Sequence, residues 1–476
     1  QAEFVVQDDE PIKPDLLPTA DNPHPIIENC TELGLAKWFC RRNYDDVRFD
    51  YQRGRWMFFD GTRWINDAAA IWTRLKDIPK EIGLTGYRLG GDKGDALKKF
   101  AIKAESASTL KNALKLAETE SLVCVKRDTF DRDLMVFNVS NGTVDLRTGK
   151  LNRHDRRQMI SKISPITFDP QADCPRWKQF LKEVFKRQDL IDFFQRAVGY
   201  SLTGLTTEQV LFFLYGIGAN GKTITLNTVQ NLLGEYAQTI TSEVFMNKDR
   251  PGSGSASPEV AQLPGARIIV SSEIEQGRSA NETLIKSMTG GEPIQARSLY
   301  GPPFTFTPQF KPFMAGNHKP VIRGTDDGIW RRVLLVPFVV TFSKDRQDKD
   351  LQSKLNAELS GVLNWAVDGC LQWQQHGLNP PAIVLQATAE YRSDQDTIGR
   401  WIEECCSKDP LLETPSSVLL KSFNTWAESN GHRRISSKTL GAYLSEHGWE
   451  SKKKSVNYWL GIGPHDDYST AAQGTL

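Results

Sequence analysis

Short apolar runs alternating with helical periodicity mark out the middle of the chain. Leu211-Phe212-Phe213-Leu214-Tyr215 is an unbroken apolar and aromatic stretch, the pattern of a buried strand. It runs into Gly216, and beyond Gly221 come Leu226, Val229, Leu232 and Leu233 at helical spacing. A second strand is predicted over Ala266 to Ser272, with Ile268, Ile269 and Val270 as its apolar run. Pro312 to Gly316 gives a third, and Val333 to Phe338 a fourth. Upstream, Arg55 to Trp64 reads as a hairpin turning at Asp60-Gly61. Leu110, Ala113, Leu114 and Ala117 form one helix face. Pro175 to Tyr200 is mostly helical, with Phe180, Val184 and Phe185 together. Near the end, Ser416 to Ser429 is a helix candidate with Val418, Leu419, Phe423 and Trp426 inward. Ser436-Ser437 caps a second helix carrying Leu440, Tyr443 and Leu444, which Gly448 ends. A strand-like run, Val456 to Ile462, follows Lys452-Lys453-Lys454.

The first strand and its helix bracket a candidate for chemistry. Gly216, Gly221, Lys222 and Thr223 fit G-x-x-x-x-G-K-[ST], a phosphate-binding loop in the strand–loop–helix setting it requires. Its stretch is Gly216, Ile217, Gly218, Ala219, Asn220, Gly221, Lys222, Thr223 and Ile224. The glycines let backbone N–H groups curl around phosphate oxygens, and the helix N-terminus adds positive potential. Lys222 would reach the β- and γ-phosphates of ATP, and Thr223 would ligate Mg²⁺. Glu273, directly after the second strand, is the candidate for polarising the attacking water or holding the metal's water shell, with Glu275 as fallback. Asn317, at the tip of the third strand, can orient water or read the γ-phosphate. Arg331 and Arg332 precede the fourth strand, and one of them, Arg332 first, would serve as an arginine finger.

Composition limits the rest. With 476 residues the chain should hold three or four domains, and a net charge of +1 gives no global basic field. Nucleic-acid binding would therefore rest on local patches or on an assembled channel. The seven cysteines include no C-x-x-C pair, which reads as a reducing cytoplasm with no structural zinc. No stretch is long and apolar enough for a membrane span. A chain opening on Gln1 is expected to be a fragment or processed form, with room for a lost N-terminal domain. PGSGSAS, residues 251–257, reads as a flexible loop.

Taken in order, GIGANGKT, ARIIVSSE, IKSMTGGEPIQARSLYGPPFTFTPQFKPFMAGN and GIWRRVLLVPF resemble superfamily III helicases, specifically the phage, plasmid and poxvirus primase–helicase family. FNVSNGTVDLRTG and the segment from Val198 to Gly204 resemble the region just before that family's motor. The likeness covers about Leu134 to Phe342. Ser272 stands where related helicases often carry a second acid, which leaves the division of labour between Glu273 and Glu275 open. The resemblance implies a P-loop ATPase core of the AAA+ type, a homo-oligomeric ring, expected as a hexamer, and 3′ to 5′ travel on single-stranded and forked DNA. It implies that Lys286 offers its amine to ATP on the adjacent subunit. It also implies that Ile294 to Thr307 is a hairpin gripping DNA, through Arg297, Tyr300 and Phe304, with Phe306 packing inward and Lys311 as a further candidate.

The expected division is a disordered arm over 1–29 and an N-terminal α+β domain over 30–128. A helical collar follows over 129–205, then the ATPase domain over 206–345. A helical connector over 346–395 and a winged-helix DNA-binding domain over 396–476 complete it. In that last domain Ser437, Lys438 and Tyr443 would face DNA, and Lys452, Lys453 and Lys454 would meet phosphates. The fold class is thus α/β, with an α-rich N-terminal region, a P-loop core and a C-terminal winged helix. The function expected is an ATP-dependent DNA helicase for replication of a phage, plasmid or other mobile element, in the host cytoplasm. Alternatives are the helicase portion of a primase–helicase, or an ATP-switched origin-binding or loader protein. A primase or origin protein would be a further partner.

Overall fold

A computed structural model describes residues 29–247, 258–272, 275–297, 299, 303–324 and 326–465. The expected arm over most of 1–29, the loop at 251–257, and the residues Glu273, Tyr300, Gly301 and Pro302 lie outside the described residues. The described residues form two compact units, one within 29–145 and 150–164, the other within 146–149 and 165–465.

The first unit begins with the helix Glu32–Asn43, whose N-cap Thr31 accepts from the Gly34 N–H at 3.1 Å. Val47–Asp50 pairs antiparallel with Arg55–Phe59, which returns to pair with Trp64–Ile65. The expected Asp-Gly turn is present: Asp60 Oδ1 accepts from Thr62 N at 2.7 Å and Arg63 N at 2.9 Å, and Gly61 supplies the positive φ. Trp56, Met57 and Trp64 are buried, so the large apolar side chains of this hairpin build a core. Helices Ala68–Leu89, Gly91–Ala104 and Ala107–Ala117 follow, the last burying Leu110, Ala113, Leu114 and Ala117 as its periodicity predicts. The unit closes with an antiparallel sheet of Val136–Val139, Gly142–Asp145 and Lys150–Asn152. This sheet lies within the span expected to be a helical collar. Val136–Val139 is buried at every position and Gly142–Asp145 at its first three, paired as strands where a helix was expected.

In the second unit the four predicted strands form one sheet with a fifth, Ala237–Thr239. The order is Val333–Pro337, Leu211–Tyr215, Lys311–Gly316, Ile268–Ser272, Ala237–Thr239, and every pair is parallel. The protein is therefore mixed α/β with a parallel sheet. Near-continuous apolar strands are what a sheet covered on both faces needs. One face meets the core of Leu211, Phe213, Ile269, Met314 and Leu335. On the other, Phe212 stacks on Phe313 at 4.7 Å and meets Phe193 at 6.2 Å.

Phe193 belongs to the helix Gln188–Leu202, which crosses the helix Leu359–His376. Glycines set that crossing: a Cβ on Gly199 would fall 2.1 Å from the Cys370 nitrogen. The collar helices and the connector thus share one layer, although some 160 residues separate them. The helix Ala382–Gln395 then leads to a terminal module with the order helix Thr397–Cys405, strand Glu413–Pro415, helix Ser416–Ser429, helix Ser437–Glu446, strands Ser451–Lys453 and Asn457–Leu460. These three strands form one antiparallel sheet, and Cys406–Ser407 pairs antiparallel with Gly463–Pro464. All seven cysteines are free thiols. Among the described residues, no helix is long and apolar enough to cross a membrane.

Candidate functional site

Parallel strands bring their carboxyl ends to one edge, and the loops leaving that edge can converge. Here the loop after Tyr215 and the loop after Gly316 meet. Lys222, first residue of the helix Lys222–Leu233, donates from Nζ to the Gly216 carbonyl at 2.6 Å, Asn220 Oδ1 at 3.1 Å and Asn317 Oδ1 at 3.2 Å. All three acceptors are neutral. Lys222 is 7% exposed, and burial pushes its ammonium below the usual pKa. A buried cation without a carboxylate among the described residues is a site that fits an anion.

The loop's shape follows from its residues. Gly221 is N-cap of the helix at φ +89°, and Ala219 is held at φ +58°, unusual for a residue with a Cβ. A Cβ on Gly216 would fall 2.2 Å from the Phe338 carbonyl oxygen. Asn220 is buried and donates to that same carbonyl at 3.3 Å, so the strand Val333–Pro337 braces the loop. Gly218, Thr223 and the tip residue Ile217 are exposed, and Ile224 is half-buried. Beside the loop opens a cavity of about 270 Å³, lined by Ala219–Ile224 together with Phe180, Phe342, Arg346 and Leu351.

Of the candidate acids, Glu273 lies outside the described residues. Glu275 is exposed, lies 4.0 Å from Arg278, and lines a different cavity of about 570 Å³ at the Ala237–Thr239 edge.

A second cluster forms at the opposite edge of the sheet. The Arg332 carbonyl accepts from Leu211 N at 2.7 Å, which places the arginines at the start of the strand whose far end carries Gly216. At about 3.3 Å per residue, that strand keeps the two ends roughly 15 Å apart. Arg332 is 9% exposed: Nη1 donates to the Gly328 carbonyl and Nη2 to Gln209 Oε1 at 3.2 Å, while Nε has no partner among the described residues. Burial first, and then the charge of Arg331, lower its pKa. Arg331 is exposed and donates to the same Gln209 oxygen at 3.3 Å. Lys286, on the helix Glu282–Gly290, donates to both oxygens of Asp326 at 3.0 and 3.1 Å. Burial opposes ionisation of Asp326, but the Lys286 hydrogen bond and charge outweigh it and hold the carboxyl below its usual range.

The predicted hairpin is present: Ile294–Arg297 pairs antiparallel with Pro303–Phe306. Ile294, Ala296 and Phe306 are buried, and Phe304 packs partly buried against the same core. Arg297 alternates to the outer face, opposite Phe304, so these two cannot grip one strand together. Lys311 is buried: Nζ donates to the carbonyls of Thr203 and Leu205 and lies 4.7 Å from the Tyr200 ring centroid. That excludes it as a surface grip for DNA.

In the terminal module Lys438 is exposed. Tyr443 is not: it is buried, and its hydroxyl donates to Asp396 Oδ2 at 2.8 Å, since its helix turns that face toward the helix Thr397–Cys405. Lys453 is exposed. Lys452 reaches Glu413 at 3.4 Å, and Lys454 pairs with the same carboxylate.

Three family models match. D5 N terminal like covers residues 36–186, a family of unknown function covers 214–332, and Poxvirus D5 protein-like covers 393–470. A putative helicase of Acanthamoeba polyphaga mimivirus is 30% identical over 63% of this chain and 34% of its own length. A putative helicase of Frog virus 3 (isolate Goorha) is 29% identical over 67% of this chain and 34% of its own. A putative primase of African swine fever virus (isolate Tick/Malawi/Lil 20-1/1983) is 22% identical over 63% and 34%. The chain thus spans about a third of the length of these relatives. Among solved structures, the apo C terminal region of NrS-1 aligns at 10% identity over 91% of this chain and 100% of its own, with a TM-score of 0.47.

Proposed function

The chain belongs to the primase–helicase family, and from that premise we propose that it is an ATP-dependent DNA helicase, assembling as a ring in the replication of a virus, phage, plasmid or other mobile element. The observation that carries this reading is the Lys222 site. A buried cation, held by three neutral acceptors at the carboxyl edge of a parallel sheet, is suited to the β- and γ-phosphates of a nucleotide. In this reading Lys222 neutralises charge that grows on those oxygens, and Asn317 orients the attacking water. The neighbouring cavity takes ribose and base. Mg²⁺, when bound, neutralises phosphate charge; Thr223 offers its hydroxyl, and Glu273 is the proposed acid.

A ring is proposed because the second cluster is remote from this site within one chain. With roughly 15 Å of strand between them, Arg331, Arg332 and Lys286 would act on the nucleotide of an adjacent copy. Arg331 is the proposed finger, because it is exposed while Arg332 is enclosed by Gly328 and Gln209. The hairpin would meet single-stranded DNA through Arg297 and Tyr300, and the terminal module would act as a winged helix on duplex or forked DNA. Travel 3′ to 5′ rests on family likeness alone.

The test is Lys222→Ala. Phosphate release and fork unwinding should both fall to background, with the protein still folded by circular dichroism. Near-normal ATP turnover in that variant would overturn the site. A second reading is supported by the share of the relatives that this chain spans: it is the helicase portion of a longer primase–helicase. Template-directed primer synthesis by the longer polypeptide, absent from this chain alone, is its expected signature.

A further inference from the structure

One residue of the arginine cluster carries no charge and belongs to no motif. Gln209 sits in the turn just before the strand Leu211–Tyr215. Its Oε1 accepts from Arg331 Nη2 at 3.3 Å and from Arg332 Nη2 at 3.2 Å. Its backbone is left-handed, at φ +53°, a region a non-glycine side chain adopts at a cost. The turn is pinned from several sides. Gln209 N donates to the Thr206 carbonyl at 3.0 Å. The neighbouring Glu208 N donates to the Tyr200 hydroxyl at 3.2 Å, and Glu208 Oε1 accepts from Trp373 Nε1 at 2.7 Å. Two helices therefore pin the turn from which the Gln209 side chain leaves.

We infer that Gln209 is a positioning residue that holds the two like-charged arginines side by side for a phosphate on a neighbouring copy. Two guanidinium groups repel: after burial, the Arg331 charge lowers the Arg332 pKa, against the carboxylates of Glu292 and Asp326, which raise it. A neutral oxygen between them offsets that repulsion without cancelling the positive field. A carboxylate there would hold the arginines as well or better, but would neutralise the charge they offer. Neutrality at this position is thus the functional requirement. This inference rests on the proposed action of the arginines across a subunit interface.

The test uses the full chain and two variants. Gln209→Gly deletes the acceptor and relieves the left-handed backbone, which offsets part of the cost of leaving Arg332 Nη2 without that oxygen; circular dichroism checks that the fold is kept. It should lower kcat roughly ten- to hundredfold while ATP affinity, read with a fluorescent ATP analogue, stays unchanged. Gln209→Glu should lower kcat to within about tenfold of Arg331→Ala, again at unchanged affinity. Each variant is then mixed with Lys222→Ala. Because Gln209 lies on the arginine-donating side, the mixtures should recover turnover, as an Arg331→Ala and Lys222→Ala mixture should. If the arginine mixture recovers and the Gln209 mixtures do not, the role assigned to Gln209 is wrong. The same holds if Gln209→Glu keeps normal kcat. If the arginine mixture itself shows no recovery, the action across an interface fails first.

Discussion

Lys222 and Arg332 are both buried cations, and their partners separate their roles. Lys222 is surrounded by neutral oxygens from a loop, its own neighbour and a second strand tip, so an arriving anion improves its surroundings. Arg332 already spends its Nη groups on Gly328 and Gln209. Exposed Arg331 meets Gln209 through Nη2 and can offer the rest of its guanidinium to a stronger charge-assisted pair with phosphate. Arg331→Ala is therefore expected to lower kcat by about 10³ or more at unchanged ATP affinity, the scale of a lost arginine finger. Arg332→Ala should lower thermal stability as well as turnover, because it empties a largely buried site and takes the Arg332 donor from the Gly328 carbonyl. Thermal melts run beside steady-state turnover distinguish the two; equal melting points for both variants would contradict the assignment.

At the level of elements, the hairpin divides by face. Ile294, Ala296, Phe304 and Phe306 turn to the core beside the parallel sheet, and Gln295, Arg297, Pro303 and Thr305 turn away. Arg297→Ala should leave basal ATPase intact and reduce its stimulation by single-stranded DNA. Phe304→Ala should instead cost about 2–4 kcal/mol of stability, the range for an incompletely buried large-to-small change. If Phe304→Ala melts normally yet loses DNA stimulation, the face assignment is wrong. The helical layer beside the sheet has its own sensitive point. Gly199→Ala puts a methyl against the backbone of Gly369 and Cys370, and overpacking there should destabilise by about 1–3 kcal/mol in urea unfolding.

Across the whole molecule, a net charge of +1 means that any hold on duplex DNA depends on where the lysines stand. In the terminal module Lys452 and Lys454 share Glu413, and their hydrogen bonds hold its carboxyl below the usual range. Exposed pairs of this kind add little stability, so they can exchange Glu413 for a phosphate. Glu413→Gln should therefore tighten duplex binding. Neutralising Lys452, Lys453 and Lys454 together should weaken it and flatten its salt dependence by about one unit of slope per lost contact. Basal ATPase should survive both changes. Isotherms at several salt concentrations decide this: an unchanged slope in the triple variant would exclude the lysines as phosphate contacts.

Much of the site was legible because its signals are local. The apolar run from Leu211 to Tyr215, the glycine spacing to Lys222 and the amide after Gly316 each follow from a few adjacent residues, and the structure brings Lys222 to Asn317 as those residues imply. The Asp60-Gly61 turn and the 294–306 hairpin were equally local. Other features needed the tertiary structure, because they depend on which distant segments pair. Ala237–Thr239 is too short to read as a strand until Ile268–Val270 offers it a ladder. Lys311 looks like a surface cation until the strand order places it under Tyr200 and the Thr203 carbonyl. The choice between Arg331 and Arg332 is invisible in an Arg-Arg pair, since only the approach of Gly328 and Gln209 makes one buried and the other exposed. Gln209 itself gave no signal at all. Chain-local chemistry specified the glycine–lysine loop, whereas parallel strand pairing, which joins segments more than a hundred residues apart, decided that the arginines stand at the other end of the sheet from it.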